Sequence, residues 1–126
     1  EFRSGIAYRD GSGWRFEALP ALAQISALKS IIARDLNGDG RLDLVLAGNH
    51  FGAEVETTRH DASNGLVLVQ MADGSFEERR VLESGFYAPG NVVDMQCVFV
   101  PSLGKEVLIV ASNNSRYAAF VLGLRP

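Results

Sequence analysis

A single cysteine, Cys97, excludes an intrachain disulfide, so the chain must be held by burial, hydrogen bonds or a bound ion. Cys97 alternates with Met95 and Phe99 in "MQCVF" and is expected to be a small buried hydrophobe rather than a reactive thiol. Long apolar runs are missing too. Stretches such as 107–111 fall far short of the ~20 residues a bilayer-spanning helix needs, so no membrane insertion is expected. No block of like charge occurs. The net charge is −3 with scattered arginines, which argues against nucleic acid as a partner. Low-complexity tracts are absent, and 47% hydrophobic with 21% charged residues is a globular balance. With 126 residues the chain suits one domain. It opens "EFRSG" without an initiator methionine, so a missing leader says nothing about where the parent protein resides.

Catalytic signatures are lacking as well. "SGSGW" is not a nucleophile elbow, and "LGKE" lacks both the upstream glycine and the following Ser or Thr of a phosphate-binding loop. His50 and His60 have neither helical nor hairpin spacing, which argues against a zinc pair. Tyr8, Trp14 and Phe16 could form a sugar platform, but hairpin aromatics are more often core. Residues 56–65, "ETTRHDASNG", are the most polar loop, a solvated loop or a recognition loop. Asn113-Asn114-Ser115 fits a glycosylation acceptor, relevant only in a eukaryotic secretory host.

What the chain has is glycine between short β-favouring runs. "GIAYRD", "GSG" and "WRFEAL" predict a hairpin over 5–19, with a connector over 20–26 in which Leu19, Leu22, Ile25 and Leu28 leave room for a helical turn. "LKSIIARDL" and "LDLVLAG" predict strands too apolar to alternate strictly, hence covered on both faces. "GLVLVQM", "ADGS" and "FEERRVL" give a second hairpin ending in a charged edge. After the linker "ESGFYAPGN" the cycle restarts with "VVDMQCVFV", "VLIVASNN" and "YAAFVLGL". The expectation is an all-β chain of about nine strands, grouped two, four and three, with a weak repeat of roughly 60 residues.

Between the first two strands of the middle group lies "DLNGDGRLDLVLAGN", residues 35–49. Asp35, Asn37 and Asp39 occupy loop positions 1, 3 and 5, where hard oxygens can converge on one calcium ion. Gly40 at position 6 permits the sharp turn, and Arg41 at position 7 is expected to offer its backbone carbonyl with the guanidinium pointing away. Asp43 at position 9 is the fourth side chain. Three carboxylates within nine residues repel unless a cation compensates them, although Asn-Gly and Asp-Gly also favour turns without any ion. Magnesium, with its stricter octahedron, suits the set less well. An EF-hand needs an acidic ligand at position 12 and an exiting helix; position 12 is Leu46, inside an apolar strand. An ion here fixes a turn and has no helix to swing.

This stretch resembles the calcium loop and second strand of an FG-GAP or VCBS repeat, the blade unit of integrin-α-type β-propellers. The D-x-[DN]-x-D-G-x-x-D pattern is matched at Asp35, Asn37, Asp39, Arg41 (through its backbone) and Asp43. "ESGFYAPGNVVDM" resembles the linker into a next blade, with Phe86 near the family's Phe-Gly. The resemblance covers residues 28–82, extends more weakly to about 114, and for 1–27 rests on strand pattern alone. "LAGN" replaces the integrin Gly-Ala-Pro, so the match is to the bacterial repeat; "VPSLGKE" lacks carboxylates, so no second calcium is expected.

The resemblance implies roughly two blades of a β-propeller, a C-terminal segment of a larger ring of about seven. Residues 1–26 would be a partial blade and connector, 27–83 a complete blade with its calcium loop, and 84–126 a linker and incomplete final blade. It implies one structural calcium, no catalysis, and a role in protein–protein or protein–glycan contact at an extracellular, periplasmic or cell-surface location. Other partners would be the remaining blades or further copies of the chain, since "YAAFVLGL" leaves an apolar edge. Alternatives are an accessory propeller of a secreted enzyme, or a self-assembling chain.

Overall fold

The computed structural model describes residues 3–54 and 56–123. Glu1 and Phe2 lie outside these, as does Leu124 of the expected last strand. The described residues form nine antiparallel strands in three sheets, with two one-turn helical segments. Sheet one is β1 (Gly5–Asp10) with β2 (Gly13–Ala18). Sheet two runs in the order β3 (Leu28–Arg34), β4 (Asp43–Gly48), β5 (Leu66–Gln70), β6 (Phe76–Arg79). Sheet three is β7 (Val92–Val100), β8 (Lys105–Ser112), β9 (Ala118–Val121). In every sheet successive strands are neighbours, as short turns dictate. Gly11, at φ 57, opens the β1–β2 turn in the conformation a II′ hairpin demands. The sheets do not close into a ring among the described residues.

The apolar run of β4 is explained by its place. All six of its residues are buried, because sheet two lies between the other sheets. The pleat sends Val45 and Ala47 to one side with Val67, against Phe86, Val92, Met95, Leu108 and Val110. Leu44 and Leu46 go to the other side with Leu66 and Leu68, against Leu19 and Ala23. Sheets two and three also meet edge to edge along β3 and β7. There the Ser30 hydroxyl accepts from the Met95 N–H at 3.0 Å, and Lys29 Nζ donates to Asn91 Oδ1 at 2.6 Å.

Several expectations are corrected. β3 is covered on its two faces only in part: Ile32 packs toward sheet three and Leu28 and Ala33 toward the opposite side, but Ile31 is exposed, because two-stranded sheet one sits toward the β5–β6 turn, with Tyr8, Arg15 and Glu17 near Gln70, Asp73 and Gly74. Trp14 and Phe16 are not core. The hairpin register places them together on the face turned away from sheet two, and Trp14 is 75% exposed. Tyr8 falls on the opposite face under the Arg15 guanidinium, so the three aromatics do not form one platform. Cys97 is half-buried, and burial raises its thiol pKa. The helical turn in the connector is a 3-10 turn, Ala21–Gln24, and a second turn, α1 (Val81–Ser84), ends the last strand of sheet two.

Candidate metal centre

The acidic loop coils around its first carboxylate. Asp35 Oδ1 accepts the N–H groups of Gly38 at 2.7 Å and Asp39 at 3.1 Å, and Oδ2 accepts that of Gly40 at 2.9 Å. Gly38 and Gly40, at φ 83 and 82, provide the left-handed bends that turn these N–H groups inward. The Gly40 N–H is the main cause of a lowered Asp35 pKa, partly opposed by desolvation.

Asn37 and Asp39 grip one another: Asn37 Oδ1 accepts the Asp39 N–H at 3.0 Å, and its Nδ2 donates to Asp39 Oδ2 at 2.8 Å. The Arg41 guanidinium does not point away, as expected from the sequence. It folds back onto Asp39 Oδ2, while its Nε donates to the Gln70 carbonyl at 2.9 Å. The nearest uncompensated carboxylate attracts a cation already on the chain.

Asp43 is fully buried at the start of β4. Its Oδ2 accepts the Leu36 N–H and its Oδ1 the Gln70 N–H, both at 2.9 Å. Gln70, at the end of β5, is therefore held through its N–H by Asp43 and through its carbonyl by Arg41. No sequence signal marks Gln70, because both contacts use its backbone.

The residues fit calcium by donor chemistry. Asp35, Asn37, Asp39 and Asp43 offer only hard side-chain oxygens, and the positive-φ glycines give the coil such loops require. As arranged, each carboxylate is engaged by its own N–H partners. Among the described residues, no three His, Cys, Asp or Glu side chains are gathered into a metal-holding group. The 101–104 turn that corresponds in sheet three carries no acidic side chain.

A second polar centre, missed in the sequence, lies at the other end of β4. Asn49 is fully buried at φ 74. Its Nδ2 donates to the carbonyls of Ser63 at 2.7 Å, Pro89 at 3.0 Å and Gly90 at 3.3 Å, and its Oδ1 accepts from Ser26 Oγ at 2.7 Å and the Ser63 N–H at 3.1 Å. One amide thus joins the connector before β3, the long loop after β4 and the linker into sheet three. His50, next to it, pairs with His60 through reciprocal backbone hydrogen bonds of 2.8 and 3.1 Å, so the two histidines are opposite one another despite their spacing in sequence.

The chain matches no protein-family model, no curated protein and no solved structure.

Proposed function

We propose that this chain is a non-catalytic β-propeller segment of the FG-GAP type, stapled by one structural calcium and serving protein or glycan contacts outside the cytoplasm. The observation that carries this reading is the Asp35–Asp43 loop at the head of β4, the strand buried most completely in the middle sheet. The meander order of each sheet and the meeting of β3 with β7 support it, since blades of a propeller approach one another through their first strands. When bound, calcium would supply positive charge to Asp35, Asn37, Asp39, Asp43 and the Arg41 carbonyl. Arg41 is the chain's own counter-charge for Asp39 and must give that carboxylate up to a bound ion.

At free calcium tenfold above the dissociation constant, linkage gives about 1.4 kcal/mol of added stability. Asp39→Ala is expected to abolish that gain while leaving the metal-free melting temperature nearly unchanged, because its other partners are exposed loop atoms. A melt in calcium against chelator reads this directly. An Asp39→Ala protein still raised by calcium would remove Asp39 from the ligand set.

A second reading concerns what covers the ends of the stack. Sheet one presents Trp14 and Phe16, and sheet three presents Val98, Ile109 and Val121, with β9 at its edge among the described residues. In the propeller reading the remaining blades cover both faces. Two different apolar faces at opposite ends also suit head-to-tail pairing of identical chains. Light scattering separates the two. The segment reading predicts a monomer at micromolar concentration; a closed multimer would favour self-assembly.

A further inference from the structure

We propose that His50 and His60 form a two-imidazole site for a borderline divalent metal of the zinc, nickel or copper class, distinct from the oxygen-lined loop. The reciprocal hydrogen bonds between His50 and His60 define a hydrogen-bonded antiparallel pair. In such a pair the Cα atoms lie ~5.5 Å apart and both side chains leave the same face, with Cβ atoms ~4.5–5.5 Å apart. Two imidazoles from that separation can converge on one ion at the usual metal–nitrogen distance of ~2.0–2.1 Å.

Beside the bridge the Arg59 guanidinium lies over the Phe51 ring at 5.6 Å, so that charge is engaged by an aromatic face. The His50 ring lies beside Gly52, where a Cβ would stand 3.5 Å from Cε1, so the glycine leaves room for the ring.

The backbone beneath the pair is fixed. Asn49, immediately before His50, is the buried amide centre, and the His60 carbonyl accepts from both the His50 N–H and Ser26 Oγ at 2.9 Å. Both histidines are exposed, so an ion reaches them without opening the fold. Imidazole suits zinc, nickel and copper and is a poor ligand for calcium, so the two sites draw on different metals. Two histidines leave the remaining coordination positions to water or to a partner's side chain.

The test is zinc competition against a chromophoric chelator in excess calcium, on the wild-type chain and on His50→Ala, His60→Ala and Cys97→Ser. The expected result is one zinc equivalent per chain, unchanged in Cys97→Ser. Either histidine substitution should weaken it at least about tenfold, because losing one arm forfeits the effective concentration the pair provides. Melting temperatures of the histidine variants should match wild type, since both rings are exposed. No saturable binding at millimolar zinc, or a histidine variant that binds as wild type does, would overturn the proposal.

Discussion

Asn49→Ala is expected to destabilise the protein by about 3–5 kcal/mol, among the largest losses any single substitution here can cause. The substitution leaves the Ser63 N–H and the carbonyls of Ser63 and Pro89 without their partner in a buried place. It also puts a β-carbon residue without a local polar compensation at φ 74. Asn49→Gly separates the two causes. Glycine relieves the backbone strain and should recover about 1 kcal/mol, while the orphaned hydrogen-bonding groups remain. Urea unfolding of the three proteins provides the comparison. An Asn49→Ala cost below about 1 kcal/mol would mean that the amide is not the joint between the two larger sheets.

Asp43→Ala should cost a similar amount, about 3–5 kcal/mol, and most of that loss should already be present in chelator. The reason is burial. Asp43 is fully enclosed and accepts two N–H groups, those of Leu36 and Gln70, which no other described side chain is placed to satisfy. Asp43→Asn retains the shape and one acceptor oxygen but turns an amide N–H toward a backbone donor, so about 1–3 kcal/mol is expected. Unfolding in chelator and in calcium gives both numbers. A loss seen only when calcium is present would assign Asp43 to the ion alone. The contrast with Asp39 is the useful one, because Asp39 is engaged only within its own exposed loop.

The strand plan was legible in sequence because its signals are local. Glycine turns and apolar runs fix the two, four and three strands, and the six-residue run of β4 announces burial from both sides. The one apolar strand misjudged was β3, whose cover depends on how far sheet one reaches, which is a tertiary matter. Trp14 and Phe16 were misjudged for the same reason: aromatic identity predicts a demand for cover, while register decides which face carries it. In the acidic loop, residue types and spacing pointed to an oxygen-rich turn. They did not show that Arg41 folds onto Asp39, because an arginine's reach gives no sequence period. Asn49 was the least legible. An asparagine after a glycine suits a left-handed bend, but its acceptors at Ser63 and Pro89 are 14 and 40 residues away. The His50–His60 bridge was not legible either, because it pairs residues ten apart outside any strand-turn-strand pattern.

Calorimetric titration of calcium into chelator-treated protein, with a parallel melt, decides whether the acidic loop is a calcium site. One site per chain, heat on binding, and a rise in melting temperature that Asp39→Ala removes are expected. A flat titration with an unchanged melt would contradict that assignment. In that case the loop would be held by its own hydrogen bonds alone, those of Asp35, Asn37, Asp39, Arg41 and Asp43.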